Sequence, residues 1–186
     1  MIVTLSGITG TGKSFFKDVI SKELGIKNLA IVTTRAKRKN EIDGIDKEFV
    51  DDAKFEQLKK EGKIVVDFEF LGAKYAYRQE YLQSDENYVT EVHYNTIYEF
   101  KKNASKVFAV YMIPNDIERA KLELKKRGLP EHIVKDRLQE IEEHLREYAI
   151  NKDLQKQFDY IFVNDYTEKS KEKLLGIIIK QIKEKR

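Results

Sequence analysis

The chain has 186 residues, 41% hydrophobic and 36% charged, which is enough apolar material for one compact domain with a real core. Its 35 basic and 32 acidic side chains leave a net charge of only +3, so no bulk charge points to a nucleic-acid polymer or a membrane, and any anion must be held by local basic clusters. Cysteine is absent, which excludes disulfides and thiolate metal sites. No apolar run approaches the ~18 residues of a membrane span and "MIVTLSG" is too short for a signal peptide, so a soluble cytoplasmic protein is expected.

In chain order, "IVTLS" (2–6) predicts a strand and residues 13–24 a helix. "LAIVTT" (29–34), "NYVTEV" (87–92), "KVFAVYMI" (106–113) and "FDYIFVN" (158–164) are further near-continuous apolar runs. Such runs fit strands buried on both faces of a parallel sheet. Helices are expected near 94–102, 115–127, 131–149 and 168–184. Within 131–149, Val134, Leu138, Ile141, Leu145 and Tyr148 form one helical stripe, and the last helix carries Leu174, Leu175, Ile178 and Ile182. This alternation predicts an α/β sandwich around a parallel sheet. Residues 35 to about 83 interrupt it with a "DGIDKEFV" strand, a short helix near 52–60 and a hairpin, "GKIVVDFEFLGAKYAY" (62–77). Alternation puts Ile64, Val66, Phe68 and Phe70 on one face of that hairpin and Asp67 and Glu69 on the other, with Gly72 at the turn. The interruption reads as a small subdomain on the sheet's carboxyl edge, where α/β proteins keep their ligands.

"GITGTGKS", Gly7 to Ser14, matches G-x-x-x-x-G-K-[ST] between a predicted strand and a predicted helix. Its glycines let backbone N–H groups turn inward around phosphate oxygens, and the helix start adds its positive dipole end. Lys13 is expected to reach the β and γ phosphates and Ser14 to ligate Mg²⁺. Gly7, Thr9, Gly10, Thr11, Gly12, Lys13, Ser14 and Phe15 are therefore assigned to ATP. A bare glycine turn would give the Lys-Ser pair no packing reason to be there. A GTPase would carry N-K-x-D, but "NKDL" (151–154) fails at its fourth position. The short chain favours a kinase over a motor.

"TTRAKRK" (33–39) follows the second predicted strand. Read alone, it is a solvated surface, a nucleic-acid patch, or a phosphate site in which Arg35 and Arg38 close as two planar forks. Together with the phosphate loop, "EIDGIDKEFV" (41–50), "EGKIVVDFEFLGAKY" (61–75), "KRG" (126–128), "DRL" (136–138) and "FDYIFVND" (158–165), it makes the chain resemble the guanylate kinase family over nearly its whole length. The resemblance implies a P-loop NTPase three-layer sandwich in three parts: an ATP-binding core (1–34, 84–126 and 138–186), an acceptor-binding insert (35–83) and a short helical lid (127–137). It assigns the acceptor phosphate to Arg35, Arg38 and Tyr75, and places Glu41 and Lys47 in the same site. Arg127 and Arg137 match lid arginines that spread charge from the transferring phosphoryl group, which with Lys13 and Arg38 makes the catalytic set. Glu91 matches an acidic residue acting on Mg²⁺ through water. Partners are then small-molecule nucleotides, and the protein a monomer or homodimer.

The residues at the base-reading positions differ from the family's. Guanine offers two donors on its Watson–Crick edge, which a selective pocket meets with carboxylates or hydroxyls. Val66 stands where the family has glutamate, Tyr77 where it has a small hydroxyl residue and His93 where it has aspartate. Asp67 is adjacent, but alternation turns it away unless a bulge intervenes. Lys47 replaces a phosphate-binding tyrosine, Ile31 a frequent serine and Glu123 an arginine. These departures leave open a kinase for another nucleotide or a sugar phosphate, and a non-catalytic binding module. The intact phosphate loop favours an enzyme.

Overall fold

The computed structural model describes residues 1–39, 41–126 and 128–184. In chain order its elements are β1 (Ile2–Gly7), α1 (Lys13–Leu24), β2 (Lys27–Asn28), β3 (Ile31–Thr33), β4 (Lys47–Phe49), α2 (Asp52–Lys60), β5 (Ile64–Phe70), β6 (Ala73–Arg78), α3 (Gln79–Leu82), β7 (Tyr88–Glu91), a 3₁₀ turn (Tyr94–Thr96), α4 (Ile97–Asn103), β8 (Val107–Pro114), α5 (Ile117–Lys125), α6 (Glu131–Ile150), α7 (Lys152–Gln155), β9 (Tyr160–Asn164) and α8 (Glu168–Glu184).

The core sheet is parallel throughout, in the order β2-β7-β1-β8-β9. Its strands are buried on both faces, so successive side chains enter two different cores. Val3, Leu5, Val110 and Phe162 pack with Phe16 and Ile20 of α1 and with Leu174 and Ile178 of α8. Ile2, Ala109 and Tyr111 pack with Ile97 and Phe100 of α4, Tyr148 of α6 and Leu154 of α7. The result is the expected three-layer sandwich of a P-loop NTPase. Among the described residues, no helix is long and apolar enough to cross a membrane.

A second, mixed sheet runs β4-β3-β6-β5. It corrects the expectation that "LAIVTT" is a core-sheet strand. Leu29 still donates to the Val89 carbonyl beside β7, but Ile31–Thr33 pairs with β4 and β6. Ile31 and Val32 are both buried, one in the main core and one under α2. A strand covered on both faces has the same composition in either sheet, so the apolar run does not say which it joins. Helix α2 starts at Asp51, whose carboxylate accepts from the Lys54 N–H at 2.7 Å. It covers the outer face of the mixed sheet with Phe55 and Leu58, packed on Val32, Ile64 and Ala76.

The hairpin contains a bulge. Val65 pairs with Tyr77 and Phe68 with Tyr75, so Val66 and Asp67 together oppose Ala76. Val66 takes φ 56°, an uncommon conformation for a β-branched residue. The bulge resets the alternation. Ile64 faces α2, while Phe68 and Phe70 face the main core, so the four do not share one face as the sequence pattern predicts. Asp67 remains outside, its carboxylate 2.6 Å from Lys59 Nζ. Leu71 and Gly72, at φ 50° and 72°, close the hairpin. Residues 131–137 of the segment expected as a short helical lid form the first turns of the 20-residue α6.

Phe55→Ala is expected to destabilise the fold by about 3–5 kcal/mol, the usual cost of emptying a buried aromatic site. Urea unfolding followed by circular dichroism measures this as a lower midpoint.

Candidate active site

A cleft of about 1190 Å³ opens where the carboxyl ends of β1 and β7 meet the inner face of the mixed sheet. The phosphate loop forms its floor. A Cβ on Gly10 would sit 2.3 Å from the Ala120 carbonyl oxygen, and one on Gly7 2.3 Å from that of Met112, so glycine is required where the loop crosses β8 and α5. Helix α1 begins at Lys13 with no side-chain cap from Gly12, leaving its first N–H groups to a phosphate. Lys13 Nζ is folded back on the loop, donating to the carbonyls of Gly7 at 2.7 Å and Ile8 at 2.8 Å. Thr11 is buried and braces the loop through the Ile8 carbonyl at 2.9 Å, while Thr9 reaches Glu140 Oε2 at 3.4 Å. Phe15 stands half-exposed at the mouth.

Ser14 Oγ donates to Glu91 Oε1 at 2.8 Å. A hydroxyl and a carboxylate are hard oxygen donors that suit Mg²⁺. Among the described residues no three metal-binding side chains cluster, so such an ion would rely largely on substrate phosphates. Burial pushes the Glu91 carboxyl up, but Lys47, Lys13, Lys17 and the Ser14 hydroxyl outweigh it and hold it below the usual carboxylate range. Burial pushes the Lys47 ammonium down, against the attraction of Glu91.

On the insert side, Glu41 organises both arginines rather than facing the cleft as an independent ligand. Its Oε1 accepts from Arg35 Nη2 at 2.6 Å and its Oε2 from the Arg38 backbone N–H at 2.8 Å. Arg35, Arg38, Glu41 and Lys47 all line the cleft. Tyr75 lines it too, with Phe68 stacked on it at 5.2 Å. Tyr77 is fully buried, and its hydroxyl donates to the Glu91 carbonyl at 3.0 Å. Its ring forms the wall while its hydroxyl fixes β7. Val66 packs against the aromatic core and is not among the residues lining the cleft. His93 lines it, packed against Phe68, Phe70 and Tyr94 at 5.5, 4.9 and 4.6 Å. Its Nδ1 is buried without a hydrogen-bond partner.

On the helical side, Arg137 lines the cleft with its guanidinium carbon 5.0 Å from the Phe70 ring centre. Arg127 lies outside the described residues. Glu123 accepts from Lys126 at 2.7 Å, and both line that wall of the cleft.

Several site residues escape the sequence reading. Lys17 lines the cleft at only 7% exposure. Asn164 donates to the Thr11 carbonyl at 3.0 Å and Tyr166 to the Gly10 carbonyl at 3.1 Å, clamping the loop from the end of β9. Their available signal was the "FDYIFVND" run ending on a core strand's carboxyl edge. His144, buried with its ring 3.5 Å from that of Tyr94, shares a hydrogen bond with the Tyr111 hydroxyl at 2.9 Å.

A phosphate loop at the carboxyl edge of a parallel sheet, facing a basic insert across one cleft, defines a P-loop phosphotransferase. The guanylate kinase family model matches residues 1–181. The chain therefore belongs to the guanylate kinase family, a branch of the nucleoside monophosphate kinases. It is 26% identical over 190 residues to a guanylate kinase of Mycoplasmoides gallisepticum, covering 97% of this chain and 92% of that one. It is 28% identical over 195 residues to that of Wolbachia pipientis, covering 100% and 94%. A solved guanylate kinase from Anaplasma phagocytophilum superposes with a TM-score of 0.69 at 20% identity, over 97% of this chain and 85% of that one. A shikimate kinase from Bacteroides thetaiotaomicron shares the fold at a TM-score of 0.54 and 14% identity, over 98% of each chain.

Burial and the neighbouring His144 push the His93 imidazole down to about 4. Between that value and about 6.5 the unfolded chain binds the proton and the folded one does not, so stability rises with pH across this window and then levels. The gain from this residue is at most about 3 kcal/mol. Urea midpoints from pH 4 to 8 measure it, and His93→Gln is expected to give a shallower slope.

Proposed function

We propose that the chain transfers the γ-phosphoryl group of ATP to a nucleoside monophosphate. The observation that carries this reading is the intact phosphate loop facing Arg35, Arg38, Lys47 and Tyr75 across one cleft. A triphosphate and a phosphate dianion repel each other, and catalysis consists of holding them in line while shielding their charge. In this reading the loop N–H groups and Lys13 hold the donor, and Lys13 leaves the Gly7 and Ile8 carbonyls to meet the β and γ oxygens. Arg35, Arg38, Lys47 and the Tyr75 hydroxyl hold the acceptor phosphate. Arg137 supplies positive charge to the transferring group from α6, the family resemblance gives Arg127 the same role, and closure over the site excludes water. Mg²⁺, held by Ser14 and through water by Glu91, supplies further neutralisation at the β and γ oxygens when bound. We further propose a cytoplasmic enzyme that works as a monomer or homodimer.

GMP is the acceptor the family suggests, yet the wall at its base-reading positions is aromatic and uncharged. The bulge leaves Asp67 with Lys59, Tyr77 spends its hydroxyl on the Glu91 carbonyl, and His93 is neutral at pH 7. We therefore propose that GMP is a poor acceptor and that another nucleoside monophosphate, or a sugar phosphate, is preferred. A non-catalytic phosphopeptide module is the lesser reading, because it needs neither Lys13 nor Ser14.

Coupled ADP release across GMP, dGMP, AMP, UMP, CMP, dTMP and sugar phosphates tests both statements. Turnover is expected with at least one acceptor and to be weak with GMP, and efficient GMP turnover would refute the altered specificity. Lys13→Ala is expected to lower kcat by at least about 10²–10³, the scale for losing one preorganised charge stabiliser, with an unchanged circular dichroism spectrum.

A further inference from the structure

We propose that Lys17 is a phosphate-binding residue of the acceptor site, acting with Lys47 from opposite walls of the cleft. This rests on the phosphotransferase reading and adds to it a cation from the core domain.

Lys17 lies four residues after Lys13 on α1, and that spacing puts both ammonium stems on the same helix face. A lysine on a helix normally extends into water. Lys17 instead points into the cleft at 7% exposure. An ammonium group withdrawn this far needs a counter-charge, and it has Glu91 and Asp18 within electrostatic range. Glu91 is shared, since Lys13 and Lys47 act on the same carboxylate. Glu41, the next carboxylate along the cleft, is already taken by Arg35 and the Arg38 backbone. Glu91 thus acts on all three ammonium groups, while Glu140 also attracts Lys13, Glu41 also attracts Lys47 and Asp18 also attracts Lys17.

Two ammonium groups that line one cleft and repel each other are both stabilised when an anion enters between them. Lys13 belongs to the donor loop, which leaves Lys17 and Lys47 for the acceptor. Lys17 comes from the core and Lys47 from β4 of the insert, and the two repel each other across Glu91. A phosphate dianion between them relieves that repulsion and links the two parts of the molecule. An ammonium is a point charge that makes no demand on what the phosphate is attached to. The pair therefore selects a phosphate monoester whatever its base, which suits a base wall without carboxylates.

The test is calorimetric titration with the phosphate loop first saturated by a non-hydrolysable ATP analogue and Mg²⁺. Ribose 5-phosphate and GMP are the probes, with ribose and guanosine as phosphate-free controls, on the wild type, Lys17→Met and Lys17→Arg. Lys17→Met is expected to weaken both phosphate probes by at least about ten-fold while leaving the controls and the analogue within two-fold, and Lys17→Arg to recover most of the loss. Unchanged probe affinity in Lys17→Met would overturn the proposal. So would an equal loss for the ATP analogue, or a wild type that binds neither phosphate probe. If Lys17→Met does not fold, Lys17→Gln and Lys47→Met carry the same comparison. Failure of the phosphotransferase reading shows separately, as absent ADP release with every acceptor while the affinity difference persists.

Discussion

The attraction of Lys47, Lys13 and Lys17 for the Glu91 carboxylate is the interaction on which the site depends. Glu91 ends β7 at the carboxyl edge of the core sheet. Its side chain accepts from Ser14 of the donor loop, and its backbone carbonyl accepts from Tyr77 of the insert. One residue therefore ties the phosphate loop to the mixed sheet. Its charge also makes tolerable three ammonium groups that would otherwise repel each other in a partly dry cleft.

The same arrangement explains how the molecule could hold two anions close together. The loop contributes backbone donors whose positions are set by steric contact at Gly7 and Gly10. The insert contributes arginines held by Glu41, and α6 contributes Arg137 stacked against Phe70. Arg35 and Arg137 are placed by contacts made without substrate, whereas Lys13 is held by the loop carbonyls that it must leave. The aromatic wall of Phe68, Phe70, Tyr75, Tyr77 and His93 gives this cleft its local character.

Much of this was legible in the sequence because it rests on steric or periodic rules. Only glycine fits the loop crossings, so "GITGTGKS" announced the donor site. The stripe from Val134 to Tyr148 announced α6. Other features leave no such mark. Nothing in the residue type of Val66 forecasts φ 56°, and one bulge there undid the predicted facing of Ile64 while leaving Asp67 outside. Ile31 and Val32 are as apolar as a core strand, so their transfer to the mixed sheet could not be read from composition. The residue type of Lys17 carries no sign of its burial, because its inward direction depends on the cleft that later elements build around it. The polar clamp of Asn164 and Tyr166 joins residues more than 150 positions apart in sequence, a distance that no local pattern spans.

Equilibrium unfolding of Glu91→Gln, with and without added phosphate, tests the central place of this carboxylate most directly. The variant keeps the shape but removes a charge that attracts all three lysines and accepts from Ser14, so the account predicts a loss of about 1–3 kcal/mol, the scale for a hydrogen bond to a charged group. Phosphate is expected to restore much of that loss and to stabilise the variant more than the wild type. A variant as stable as the wild type, with the same response to phosphate, would contradict the account.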